Sequence, residues 1–215
     1  FGSVEVLQDV GLEILAGEVH VLAGENGAGK STLIKILAGV HTDFAGTIEI
    51  GGRSVRPESP LAANALGVAV IYQELSLVPQ LSVAENIFLG REPHTWGWLH
   101  RRRLLDDARA LVSRLELEEI SSVEEPVERL SIARKQLVEI ARALSSRARI
   151  LILDEPTSSL SEAETEILFT TLRRLRSQGV GIIYISHRLE EIFRLSDRIT
   201  VLRDGLSVGT TSTLE

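Results

Sequence analysis

Residues 24–31 read Gly24-Glu25-Asn26-Gly27-Ala28-Gly29-Lys30-Ser31, followed by Thr32. A glycine, four residues and then Gly-Lys-Ser is the spacing of a phosphate-binding loop. The glycines permit a tight curl that side chains would block, and the curl turns successive N–H groups inward to form an anion site. Lys30 is placed to reach β- and γ-phosphates, and the Ser31 hydroxyl to reach Mg²⁺. A second group lies far along the chain, where Ile150-Leu151-Ile152-Leu153 runs into Asp154-Glu155-Pro156-Thr157. Four apolar residues and then two acids describe a buried strand that delivers carboxylates at its C-terminal end, where ligands of open α/β sheets bind. Asp154 is placed to hold Mg²⁺, directly or through water, and Glu155 to polarise a water attacking the γ-phosphate. The bland alternatives are a surface turn with an accidental lysine and an exposed acidic turn. Both fit the apolar flanks poorly.

The elements needed to position these groups are visible. Val19–Ala23 is a short apolar run, as expected of a buried strand, and residues 32–38 read as a helix that Gly39 can end. Further strands are predicted at 48–50, 68–72, 150–153, 181–185 and 199–202, and helices at 104–115, 135–144, 162–176 and 189–194. This alternation implies an α/β fold around a mostly parallel central sheet. Residues 79–145 are dominated by helical patterns and are read as a helical subdomain inserted in a single domain spanning 1–215. Short alternating pieces at 11–14, 47–50 and 54–56 suggest a small antiparallel β subdomain beside the main sheet.

Composition narrows the function classes. The formal charge of −7 argues against a nucleic-acid surface. With no cysteine there is neither a disulfide nor a thiolate metal site, which suits a reducing compartment. No apolar run approaches the roughly 20 residues that a membrane-spanning helix requires. The chain opens at Phe1 without a methionine and is expected to be a fragment. Trp96 and Trp98 are expected to pack on the helical insertion, and Arg101–Arg103 to begin a solvated helix. His20, His41 and His94 have no metal-ligand spacing and are expected to be structural or exposed. Arg173, Arg174 and Arg176 are placed on the polar side of an amphipathic helix.

Further motifs occur in a fixed order. Tyr72-Gln73-Glu74 ends a strand, Leu130-Ser131-Ile132-Ala133-Arg134-Lys135-Gln136 precedes a helix, Ser158-Ser159-Leu160-Ser161 follows the acids, and Ile185-Ser186-His187 follows the last core strand. With the phosphate loop and Asp154-Glu155, these motifs make nearly the whole chain resemble an ATP-binding cassette (ABC) ATPase, the motor of membrane transporters and a P-loop NTPase. The resemblance implies an ATPase using ATP and Mg²⁺. It implies that Gln73 senses the metal and the attacking water and that His187 binds the γ-phosphate. It places Phe1 as the ring stacked on adenine. Gly24, Glu25, Asn26, Gly27, Ala28, Gly29, Lys30, Ser31 and Thr32 hold the nucleotide, Ser31, Gln73 and Asp154 serve the metal, and Lys30, Gln73, Glu155 and His187 serve catalysis. In such proteins two cassettes face head to tail, so Ser131 acts in trans on a nucleotide held by a partner.

The chain departs from the family at Ile132, Ala133 and Arg134, where the usual signature has Gly-Gly-Gln, and at Ser161, where the family has aspartate. The form Leu-Ser-Ile-Ala, together with Asn86-Ile87-Phe88-Leu89-Gly90-Arg91-Glu92, resembles the first cassette of tandem ATPases that drive bacterial monosaccharide import (ribose, xylose, arabinose or galactose). That resemblance implies a second cassette in the missing C-terminal half and an integral membrane permease docked on the helical insertion. An external sugar-binding protein would act indirectly. It implies a peripheral place on the cytoplasmic face of the membrane and no nucleic-acid partner. The competing readings are a soluble ABC ATPase acting on ribosomes or DNA, and a regulatory cassette with weak hydrolysis.

Overall fold

The computed structural model describes residues 6–213. In chain order the elements are β1 (Val19–Ala23), α1 (Lys30–Leu37), β2 (Ile48–Ile50), β3 (Arg53–Val55), α2 (Pro60–Ala65), β4 (Val68–Ile71), α3 (Val83–Ile87), β5 (His94–Thr95), β6 (Trp98–Leu99), α4 (Arg101–Arg114), α5 (Ile132–Ser145), β7 (Ile150–Asp154), α6 (Glu162–Ser177), β8 (Gly181–Ile185), α7 (Leu189–Leu195), β9 (Arg198–Arg203) and β10 (Leu206–Ser212). The main sheet has the order β10-β9-β1-β8-β7-β4 among the described residues. Every pairing in it is parallel except β10 with β9.

The sheet is buried on both faces, as parallel sheets are, and its side chains sort by the two-residue period of a strand. Val19, Val21, Leu151, Leu153, Ile182 and Tyr184 join one core, with residues of α3, α4, α5 and α6. Leu22, Ile152, Ile183 and Ile185 point the other way, into a second core that includes Ile34 of α1 and Ala63 of α2. The first core is continuous from the sheet into the helical region, through Val83, Ile87, Leu104, Leu111, Leu137 and Ile140.

Several boundaries differ from those the sequence suggests. Helix α5 begins at Ile132, not Lys135, because the Ser131 side chain caps it by accepting from the Arg134 N–H at 3.4 Å. Ser161, at the family's aspartate position, is likewise a cap. Its hydroxyl accepts from the Glu164 N–H at 3.4 Å and its own N–H donates to Glu164 Oε2 at 3.1 Å, closing a capping box at the start of α6. Residues 11–14 form no strand; Leu12 and Ile14 pack against the second core instead. The antiparallel pair β2–β3 is present as expected. A second small hairpin, β5–β6, turns at Trp96 and Gly97, both at positive φ (55° and 83°).

That hairpin corrects the expectation for the tryptophans. Trp96 is 96% exposed and Trp98 80% exposed, so neither packs on the helices. Trp96 sits in the two-residue turn and Trp98 directly after it, at the start of β6. Arg101–Arg103 do form a solvated helix start. His20 is fully buried, with its Nδ1 3.0 Å from Glu18 Oε1 and its Nε2 2.7 Å from Thr200 Oγ1. Burial lowers its pKa, overcoming the hydrogen bond to Glu18 and the charge of that carboxylate. His94 is exposed. No helix among the described residues is long and apolar enough to cross a membrane.

Candidate functional site

Three loops leave the C-terminal ends of adjacent parallel strands. Strand β1 runs into the phosphate-loop sequence, β8 into Ser186-His187, and β7 into Asp154-Glu155. Strand β4, beyond β7, leads to Gln73. Neighbouring strands lie about 4.8 Å apart, so the loop ends converge without any long-range bend. They enclose a cleft of about 690 Å³. Residues 24–27 and 29–32 line it on one side, and Gln73, Asp154, Glu155 and His187 on the other.

The loop geometry explains its glycines. Gly29, at φ 104°, is the N-cap of α1, and no side chain caps that helix. The first N–H groups of α1 are therefore left for a ligand, at the positive end of the helix dipole. Gly24 runs against strand β9, where a Cβ would come within 2.4 Å of the Leu202 carbonyl oxygen. Ala28 turns away from the cleft into the second core. Lys30 is 8% exposed, and its ammonium donates to the carbonyl oxygens of Gly24 at 2.7 Å and Glu25 at 2.9 Å. The lysine is thus held across the mouth of its own loop.

Opposite, burial raises the pKa of the Asp154 carboxyl, the Glu155 charge raises it further, and the Lys30 charge opposes both. The phosphate loop and Asp154 are therefore within electrostatic reach of one another. The Tyr72 hydroxyl is raised by burial and by the Asp154 charge. Glu155 stands at φ 46°, and its Oε1 accepts from His187 Nδ1 at 3.0 Å. Strand register causes this contact. Asp154 pairs with Ile185, and the Glu155 N–H donates to the Ile185 carbonyl at 3.0 Å. Glu155 follows Asp154 directly and His187 follows Ile185 by two residues, so the two loops leave the sheet side by side and their side chains can meet.

Among the described residues no group of three or more His, Cys, Asp or Glu is arranged to hold a metal by itself. The oxygen donors that line the cleft, the Ser31 hydroxyl and the Asp154 carboxylate beside Gln73, suit Mg²⁺. That ion is held at nucleotide sites by one or two carboxylates together with phosphate oxygens.

Two sequence-predicted residues stand apart from the cleft. Ser131 is at the N-terminus of α5 and does not line it. Phe1 lies outside the described residues. Conversely, the structure brings to the site residues to which the sequence reading gave no role. Gln136 of α5 donates to the Pro156 carbonyl at 3.2 Å, directly after Glu155. Glu191 of α7 is 3% exposed and accepts from Thr157, Tyr184 and Ser186. One signal for Glu191 was available: it precedes Leu195 by four residues and so shares that residue's buried face.

Comparison with known proteins follows the same lines. Residues 7–158 match the family described as ABC transporter. The chain is 53% identical over 209 residues to the Ribose import ATP-binding protein RbsA 2 of Streptomyces coelicolor, covering 97% of this chain and 40% of that protein. It is 52% identical to the Ribose import ATP-binding protein RbsA of Chromobacterium violaceum, covering 97% and 41%. It is 50% identical to a putative ribose/galactose/methyl galactoside import ATP-binding protein of Agrobacterium fabrum, covering 98% and 41%. The chain thus spans about two fifths of the length of these relatives. Among solved structures, a nucleotide-free ATP-binding cassette from an ABC transporter superposes with TM-score 0.85 at 22% identity, over 99% of this chain and 87% of that one. The cbiO1 cassette of Clostridium perfringens superposes with TM-score 0.81 at 23% identity, over 97% and 82%. These two likenesses bear on the fold.

Proposed function

The chain belongs to the ABC transporter family, and from that premise we propose that it binds ATP with Mg²⁺ and hydrolyses it to power import of a monosaccharide. One observation carries the reading: Lys30, Ser31, Gln73, Asp154, Glu155 and His187 line one cleft. The loop amides and Lys30 would hold the phosphates, and Ser31, Gln73 and Asp154 would hold the metal. Mg²⁺ there would neutralise charge on the β- and γ-phosphates. Glu155 would accept a proton from the attacking water, while His187, bound to Glu155, would orient that carboxylate and reach the γ-phosphate. Phe1 would stack on adenine.

We take residues 1–215 as one nucleotide-binding domain with residues 79–145 as its helical subdomain. The names and greater length of the relatives support a second cassette in the same polypeptide, a membrane permease and a peripheral position on the cytoplasmic face. An external sugar-binding protein would deliver the sugar to that permease. Ser131 would act across the interface on the nucleotide of the second cassette.

The test is Glu155→Gln in the full-length protein assembled with its permease. ATP hydrolysis at this site is expected to fall at least about 100-fold, as for loss of a general base, with ATP still bound. Unchanged turnover would instead identify a regulatory cassette.

A further inference from the structure

Glu191 has no place in the chemistry just described, yet it is the most heavily bonded carboxylate among the described residues. Its side chain is 4% exposed. Thr157 Oγ1 lies 2.9 and 2.8 Å from its two oxygens, Tyr184 Oη 2.9 Å from Oε2, and Ser186 Oγ 2.9 Å from Oε2. The Arg188 guanidinium closes the set at 2.7 Å from Oε1. Burial pushes the Tyr184 hydroxyl well above the ordinary phenol range, so it stays protonated and donates to Glu191. A buried carboxylate is costly unless its lone pairs are filled, and these are filled from three directions.

Where the donors come from matters more than their number. Thr157 is two residues beyond Glu155. Ser186 immediately precedes His187, and its hydroxyl also accepts from the Arg188 N–H at 3.1 Å, which fixes the turn after His187. Tyr184 lies in β8, between them. One carboxylate from α7 therefore ties together the two loops whose side chains meet in the 3.0 Å Glu155–His187 contact. Glu155 needs such support, because a non-glycine residue at φ 46° is strained and persists only when its surroundings over-determine it. On the other flank the same loop is held by Gln136 through the Pro156 carbonyl.

We propose that Glu191 is a positioning residue for hydrolysis: it sets the relative placement of Glu155 and His187 without touching the nucleotide. This rests on the catalytic reading of those two residues. A uniquely structural role would lower stability and leave turnover per folded molecule alone. A positioning role lowers kcat and leaves ATP binding alone, since among the described residues no hydrogen bond or ion pair of the network involves the phosphate loop.

The experiment measures ATP turnover and ATP binding by the full-length protein assembled with its permease, for Glu191→Gln, His187→Ala and the double variant. Glu191→Gln keeps the shape but exchanges one acceptor oxygen for an amide and removes the charge facing Arg188. It is expected to lower kcat about 10- to 100-fold with KM for ATP within about twofold, the signature of an interaction realised in the transition state. Because both residues act through one contact, the double variant should fall little below His187→Ala. Losses that multiply in the double variant, or a raised KM with normal kcat, would overturn the proposal. Should Glu191→Gln fail to fold, Ser186→Ala and Thr157→Val each remove one tie, and each is expected to give a smaller kcat loss with KM unchanged. Normal kcat in both would overturn it equally. If His187→Ala itself turns over normally, the catalytic reading fails. If His187→Ala is impaired and Glu191→Gln is not, only the positioning role fails.

Discussion

Alanine at Gly24 and at Gly27 should have very different consequences, although both glycines belong to the same loop. At Gly27, φ is 88° and a Cβ would meet nothing within 4 Å. The cost there is conformational, about 1–2 kcal/mol for an L-residue held at positive φ. At Gly24 the Cβ would sit 2.4 Å from the Leu202 carbonyl oxygen, 3.3 Å from its carbon and 3.2 Å from Ala28 Cβ. The first two belong to the backbone of β9, with Leu202 1% exposed in the core, so no side-chain rotation relieves them. The loop must lift from the sheet by roughly 1 Å, and overpacking of that kind adds about 1–3 kcal/mol to the φ cost. Gly24→Ala should therefore lose about 3 kcal/mol or more, a large part of a domain stability of about 5–15 kcal/mol. Gly29→Ala falls between them, because its 2.5 Å clash is with Leu7 Cδ2, the end of a movable side chain. Urea unfolding followed by far-ultraviolet circular dichroism measures all three; tryptophan fluorescence would report little, since both rings are exposed. Equal losses at Gly24 and Gly27 would refute the claim that contact with β9, and not φ alone, demands glycine at 24.

Lys30→Ala removes a cation bonded to two loop carbonyls. Two lost charge-assisted phosphate contacts predict a fall in ATP affinity of about 100-fold or more by equilibrium titration with a fluorescent ATP analogue; unchanged affinity would remove Lys30 from the site. Asp154 has a folded pKa raised by burial above its ordinary 3.8. A raised carboxyl contributes stability only below its unfolded value and loses it as pH rises through the folded one. Asp154→Asn should therefore be more resistant to urea than the parent at pH 7 without metal or nucleotide, and the gap should close as pH falls towards 4; a gap that ignores pH would refute the assignment. Trp96→Ala combined with Trp98→Ala should change stability by less than about 0.5 kcal/mol in thermal melts, as exposed positions do. A loss above about 2 kcal/mol would show that the rings are packed after all.

The sequence carried the sheet well because buried parallel strands read as unbroken apolar runs, and residues 181–185 coincide with β8. Helix boundaries were unevenly legible: α6 begins at Glu162 as expected, where Ser161 and Glu164 have the spacing of a capping box, whereas Ser131 has arginine three residues on and its helix starts three residues before the expected position. The tryptophans misled because aromatic residues usually pack, whereas these two stand exposed in and directly after the tight turn at Trp96 and Gly97. In α7 the periodicity was ambiguous. Leu189 and Phe193 make an apolar pair four residues apart, yet they are 68% and 66% exposed, while Glu191 and Leu195, also four apart, face inward. Three hydroxyls and a guanidinium make the inward carboxylate tolerable, and the hydroxyls come from outside α7, where helical periodicity gives no sign of them.

The motifs of the site lie more than 150 residues apart, from Lys30 to His187, yet register alone brings them together. His20 pairs with Ile183 and Leu22 with Ile185, so β1 and β8 end level with one another. Leu153 pairs with Tyr184 and Asp154 with Ile185, so β7 ends level with β8. Three strand ends at one height place the phosphate loop, the histidine and the two acids along one edge. A slip of one residue between β7 and β8 would turn every side chain of β7 to the opposite face. Leu151 and Leu153 would leave the first core, Ile152 the second, and Asp154 would swing away from Lys30. The two cores that sort these strands by alternate residues therefore fix the geometry of the cleft as well. A core substitution such as Ile152→Asp should cost the site its arrangement along with the stability of the sheet.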